Sequence, residues 1–430
     1  MALPSSSPSP ANQALAPLPD AQRVFGWREH AALWFSLGVG LLVIQIGAYL
    51  VPALGVRDAL AAVVFGSVLG AGLLAWVARL GCDSGLSSAG LMHAVYGSRF
   101  ARLPVFLNIV QLIGWATFEL VVMRDGTVAI GREAFGLELG LALPTLFWGL
   151  VVMALLCGSM ITLVRRFVSR FGLPLVIASL VWLSVQFLMK LDAEGLREAW
   201  LRPGTGGLGV FGALDLVIAM PVSWLPLVAD YARHGRSGRA ALGGTWVGYT
   251  VANIWCYALG VLVITAAGAG TDMIAALLLA QGGLVALGLI LVDELDNTYG
   301  DLYSGSISAH SIAPRLSVRG WGVGLAALSI ALAMILPMHS LEPFLLTLSS
   351  VFVPLFGTIL GRLGLAHAPA VASGRGLHAV PAAIWVLGIA CYHALAQWAP
   401  QYGSALPTLA LTFVLGALSA RGAGRRALPA

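Results

Sequence analysis

The chain has 430 residues, of which 59% are hydrophobic and only 10% charged, with a formal net charge of +5. Soluble domains carry about 25% charged residues, so a water-soluble protein is excluded and an all-α polytopic membrane protein is expected, with the lipid bilayer as its surroundings. The basic residues are scattered over short loops, which argues against a nucleic-acid partner, and Cys82, Cys157, Cys256 and Cys391 are too isolated for a disulfide framework or a zinc site.

Residues 1–22 open the chain; the stretch is rich in Pro, Ser and Ala and lacks the pattern of a signal peptide, so a disordered cytosolic tail is expected. Twelve apolar runs of spanning length follow, at about 30–51, 57–79, 104–124, 142–162, 172–190, 209–230, 241–266, 283–309, 320–337, 341–362, 379–398 and 405–421. Alternating sides groups most of the 24 Lys and Arg residues with the tail, Arg28, Arg79, Arg233 and Arg315 among them. Arg57, Arg124, Arg132, Lys190, Arg197 and Arg202 fall opposite. The positive-inside rule then puts both termini in the cytoplasm and the protein in the inner (cytoplasmic) membrane.

Two spans are interrupted. The first carries Gly38-Val39-Gly40 and Ile44-Gln45-Ile46-Gly47, and the sixth runs Met220-Pro221-Val222-Ser223-Trp224-Leu225-Pro226. Proline inside a helix removes a donor, and in a membrane the freed carbonyls need a ligand, water or a neighbouring helix. Alone, both could be harmless kinks. Their offset of five spans fits two inverted repeats, 23–190 and 209–362, with two additional helices over 376–421, and breaks at matching places point to a transporter's binding site.

Span three has Asn108, Gln111, Trp115 and Glu119 on one face. An indole with a carboxylate one turn away suits a flat heteroaromatic ring carrying an amine, and Trp224 could cover the ring's other face. Span eight presents Asp293, Glu294, Asp296 and Asp301 in succession, with Asp293, Asn297 and Asp301 on one stripe. An ionised side chain at mid-bilayer costs at least ~2.5–3.5 kcal/mol, so these acids read first as a functional site and second as headgroup residues. A membrane enzyme using them is the more distant alternative, because His93, His310 and His339 lack metal-pair spacing and no nucleophile motif appears. Asp230 and Arg233 are expected as an ion pair at the end of span six, and Asp215 as a vestibule or headgroup residue.

Several of these segments resemble the nucleobase–cation symporter family: Gly114-Trp115-Ala116-Thr117-Phe118-Glu119, Val222–Pro226, Ala229-Asp230-Tyr231-Ala232-Arg233 and Asp296–Ser304. Ser84–Ser88 with Tyr96–Phe100 is similar too, and the likeness is nearest to the hydroxymethylpyrimidine (CytX-type) branch. The resemblance implies a LeuT-like 5+5 inverted repeat plus two C-terminal helices, and a cation-coupled symporter, not an enzyme. It implies import of a pyrimidine-type compound, the thiamine precursor hydroxymethylpyrimidine first, with cytosine, a purine or another nucleobase-like ring as the alternative. Carried over residue by residue, it assigns substrate contacts to Gln45, Trp115, Glu119, Ser223, Trp224, Asn297 and Asp301. The two carboxylates suggest an aminopyrimidine over an oxo-rich ring. The coupling ion is assigned to carbonyls of Leu41, Ile44 and Val292 and to Asp296, with Thr298 as the alternative under a small register change. Sodium at Leu41, Ile44, Val292 and Asp296, or a proton on a carboxyl, both stay open. No cofactor and no obligate protein partner is expected.

Overall fold

The computed structural model describes residues 14–160, 172–268, 270–336, 338, 340–367 and 376–425. In chain order the helices are α1 (Trp27–Ser36), α2 (Leu41–Tyr49), α3 (Val56–Ser84), α4 (Ser88–Tyr96), α5 (Arg102–Phe135), α6 (Ala142–Leu156), α7 (Leu173–Leu188) and α8 (Ala193–Leu201). Then come α9 (Val210–Ser223), α10 (Leu225–Ala232), α11 (Gly238–Ala267), α12 (Met273–Leu278), α13 (Gly283–Ile312), α14 (Val318–Ile335), α15 (Leu341–Ile359), α16 (Ala379–Trp398) and α17 (Ala405–Arg425).

Each of the twelve expected spans corresponds to a helix or a helix pair among the described residues; residues 161 and 162 of the fourth, residue 337 of the ninth, and residues 1–13 of the tail lie outside them. Among the described residues, 7 helices can cross a membrane by length and composition, or up to 9 when each bent pair is one span. The 30-residue α13 is not in that count because its acids interrupt the apolar run. Of the expected disordered tail, residues 14–22 are in place: the Ser87 hydroxyl donates to the Ala14 carbonyl at 2.7 Å, and Leu18 N donates to the Gly85 carbonyl at 2.9 Å. Phe25 then pairs with the chain after α10, its N–H on the His234 carbonyl at 2.9 Å and its carbonyl on Arg236 N at 2.8 Å.

The two predicted interruptions differ in kind. Span one is bent by 61° between α1 and α2, with Leu37–Gly40 outside either helix. Span six is milder than its two prolines suggest: only Trp224 separates α9 from α10, and Val210–Ala232 counts as one 23-residue span. Pro226 stands in the first turn of α10, where a missing N–H is tolerated. A bend of 93° after α7, not expected from the sequence, sets off the short α8, whose N-cap Asp192 accepts from Gly195 N at 2.7 Å.

The unbroken α11 runs along both halves of span one. A Cβ at Gly244 would collide with the Trp27 carbonyl of α1, and one at Gly260 with the Ile44 carbonyl of α2, so small residues set these close approaches. On the other side α13 packs along the length of α5, and this brings their two polar stripes face to face.

Candidate substrate and cation site

A helix that starts in the middle of a membrane protein leaves backbone N–H groups without partners. At the start of α2 one turn of α13 supplies them. Leu41 N donates to Glu294 Oε1 at 2.6 Å, and Asn297 Nδ2 donates to the Val39 carbonyl at 3.0 Å and to Glu294 Oε2 at 3.2 Å. At the end of α1, Ser36 Oγ donates to Asp293 Oδ1 at 3.0 Å. Asn297, expected as a substrate contact, is therefore also a brace for the broken backbone, together with Asp293 and Glu294 of the acid run.

Span three does the same for span six. With Leu227 N and Val228 N both turned to the Trp224 carbonyl, the Ser223 carbonyl is left to Gln111 Nε2 at 3.1 Å. Asn108 Nδ2 donates to the Pro226 carbonyl at 3.1 Å, and Gln111 Nε2 also reaches Asn108 Oδ1 at 2.9 Å. Asn108 and Gln111 thus hold the α9–α10 junction, while Trp115 and Glu119, further along the same stripe, are left for the cavity.

That cavity is lined by Trp115, Glu119, Ser223, Trp224, Asn297 and Asp301, together with Glu294 and the Val39–Gly40 backbone. Its volume is about 20 Å³, room for a water and not for a ring. The indoles are fixed from behind: Trp115 stands edge-on to Phe344 at 5.2 Å, and Trp224 edge-on to Trp34 at 5.9 Å. The Glu119 and Asp301 side chains meet across the space. Trp115 Nε1, Glu119 Oε2, Asn297 Oδ1 and Asp301 Oδ2 are buried and have no hydrogen-bond partner. Two ring faces, a buried donor and several spare acceptors are a chemistry for a flat, donor-rich heterocycle.

Six of the seven expected substrate residues come together; Gln45 does not. It sits three residues, or about 4.5 Å, further along α2 than Leu42. It lines a second cavity of about 310 Å³ with Asp125, Arg132 and Asp272. Leu42 borders both spaces.

The expected ion ligands are placed as follows. The break falls at Leu37–Gly40, so Leu41 and Ile44, expected to offer carbonyls, stand in the first turns of α2 just beyond it. Val292, also expected to offer its carbonyl, lies on α13 with its side chain 53% exposed, and the Thr298 hydroxyl donates to the Glu294 carbonyl of its own helix at 2.8 Å. Asp296 stays beside the break: the Ser36 hydroxyl that donates to Asp293 is next to it, and both its oxygens, like Asp293 Oδ2, are buried without a partner. Ser36 was missed because only the position of the break, not local spacing, marks it. Asp293 and Glu294 stood in the acid run read as a functional site, yet nothing in the sequence gave either a ligand role. Among the described residues no three His, Cys, Asp or Glu side chains converge as metal ligands, and His339 lies outside them.

Two further expectations change. Asp230 and Arg233 make no ion pair within 4 Å; Asp230, fully buried, accepts from Ser88 N of α4 at 3.0 Å, and Ser88 Oγ accepts from Ala229 N at 3.2 Å. Asp215 caps α17, its carboxylate accepting from Ser404 N and Ala405 N. Just beyond α10, burial, with the Arg233 charge second, pushes the His234 imidazole down to about 4.

A family model described as "Permease for cytosine/purines, uracil, thiamine, allantoin" matches residues 17–366. Pairwise comparison with curated proteins finds no match. Among solved structures, the chain is similar to Mhp1, a nucleobase-cation-symport-1 family transporter in a closed conformation with bromovinylhydantoin bound. The identity is 17%, with 97% of this chain and 96% of that one covered and a TM-score of 0.80. The inward facing conformation of Mhp1 gives 17%, 96% and 94% coverage and 0.79. A substrate-bound, outward-open Na+-coupled sialic acid symporter gives 12%, 96% and 92% coverage and 0.64. At these identities the structures establish the LeuT-like fold, and the family model establishes kinship.

Proposed function

Since the chain belongs to the nucleobase–cation symporter family of permeases for cytosine/purines, uracil, thiamine and allantoin, and is thus a membrane transporter and not an enzyme, we propose that it imports an aminopyrimidine, the thiamine precursor hydroxymethylpyrimidine first. The observation that carries this is the cavity wall: two carboxyls with spare oxygens between two indoles. The ring would stack on Trp115 and Trp224, and the two N–H bonds of its exocyclic amine would donate to Glu119 and Asp301. A buried acceptor left without a donor costs about 1–3 kcal/mol, which such a substrate recovers. An oxo-rich ring would set acceptors against acceptors. The ring needs more than 20 Å³, so binding goes with a widening of the site, as alternating access requires.

The coupling cation would sit at Ser36, Asp293 and Asp296, at the C-terminal end of α1, where helix carbonyls favour positive charge. Hard oxygen ligands suit sodium and the same carboxyls can take a proton. The excess of basic residues on the tail's side supports a cytoplasmic position for both termini in the inner membrane.

Uptake of labelled hydroxymethylpyrimidine into proteoliposomes, under an imposed sodium or proton gradient, tests both parts. Uptake driven by one gradient and abolished in Trp115→Ala and Glu119→Ala is the expected result. Uptake of cytosine or a purine in place of hydroxymethylpyrimidine would transfer the site to that ring, and unchanged uptake in both variants would overturn the assignment.

A further inference from the structure

We infer that Glu294 is a specificity residue that makes this transporter reject anionic substrates by filling, from within, the helix end in the cavity at which an anion would bind. The start of α2 is such a place: unpaired N–H groups and about half a unit of positive charge face inward there. In this chain Glu294 Oε1 takes Leu41 N at 2.6 Å and Oε2 takes Asn297 Nδ2 at 3.2 Å. The carboxylate is seated against the backbone, with Oε1 3.0 Å from where a Cβ on Gly40 would stand. The same cavity wall holds Glu119 Oε2 and Asp301 Oδ2, buried and unpartnered.

These positions sort ligands by charge. A ring bearing a carboxylate meets an occupied helix end and two more acids, with the Trp115 N–H but no cationic side chain among the lining residues. A neutral or protonated ring with N–H groups meets acceptors at each of those points. Rejection here is a repulsive element added to an attractive one, which is how discrimination between rings of equal size is obtained. The inference deepens the aminopyrimidine reading and rests on it for the identity of the preferred ligand, but not for the exclusion of anions.

The test compares 4-aminopyrimidine with pyrimidine-4-carboxylate by equilibrium binding to the purified full chain, in wild type, Glu294→Gln and Glu294→Ala. Glu294→Gln keeps an oxygen for Leu41 N without the charge; Glu294→Ala frees the helix end. Gain of carboxylate binding, lowering the amine-to-carboxylate affinity ratio by about tenfold or more, is expected in both variants. Formate, as a bare anion, should raise the unfolding temperature of Glu294→Ala and not of wild type. A ratio unchanged in folded Glu294→Gln, or formate protection equal in wild type and Glu294→Ala, overturns the inference. Wild type that ignores 4-aminopyrimidine, while Glu294→Ala gains the carboxylate ring, overturns the aminopyrimidine reading alone.

Discussion

Glu119 on α5 and Asp301 on α13 meet side chain to side chain across the central cavity, and each keeps one oxygen free of any protein partner. Two carboxyls in contact need a donor between them, and a substrate amine can be that donor. Hydrogen bonds to charged groups are worth about 1.5–3 kcal/mol. Glu119→Ala and Asp301→Ala should therefore each weaken aminopyrimidine binding by about 10- to 150-fold, read by titration calorimetry. Binding retained within threefold in both variants would remove the pair from recognition.

Gln45 gives the opposite expectation. It faces the second, 310 Å³ space and not the ring site. Gln45→Ala should leave the equilibrium affinity for an aminopyrimidine within about twofold, a change of under ~0.5 kcal/mol. A tenfold loss would return Gln45 to the central site.

Gln111 and Asn108 act on stability. Each satisfies a carbonyl at the α9–α10 junction. Gln111→Ala leaves the Ser223 carbonyl buried and unpaired, at a cost of about 1–3 kcal/mol. Thermal unfolding in detergent should show a lowered midpoint for Gln111→Ala and Asn108→Ala, while a change at exposed Val285 on the lipid side should not.

His234 sets a pH dependence at the face where Phe25 joins the chain after α10. Its folded-state value of about 4 lies below the ordinary 6.5, from burial first and Arg233 second, with His30 adding a smaller push and the Gln22 carbonyl opposing. The opened form therefore takes up the proton first. Closure is fully stable above about pH 6.5 and loses stability as pH falls toward about 4. Hydrogen exchange at the Phe25 and Arg236 amides, corrected for intrinsic rates, should quicken over that window, and His234→Gln should make the step smaller.

The spans were legible because apolar length alone sets them, and the acids of span eight did not hide the run that begins at Gly283. Trp115, Glu119, Asn297 and Asp301 were legible because helical spacing fixes which residues share a face. The site of the break in span one was not. Glycines stand at 38, 40 and 47, and local sequence does not choose among them; the choice is made by Glu294, 253 positions away along the chain from Leu41. The same holds for Asp230. Its spacing from Arg233 suggests an i,i+3 pair, but Ser88 N, 142 positions away, claims the carboxylate.

The glycine contacts of α11 bear on how the protein moves. One continuous rod touches α1 at Gly244 and α2 at Gly260, backbone against backbone. The 61° bend is thus held by contacts on both of its halves. A shift of either half of span one has to carry α11 along or break these contacts, and a side chain added at Gly244 or Gly260 would force the two apart.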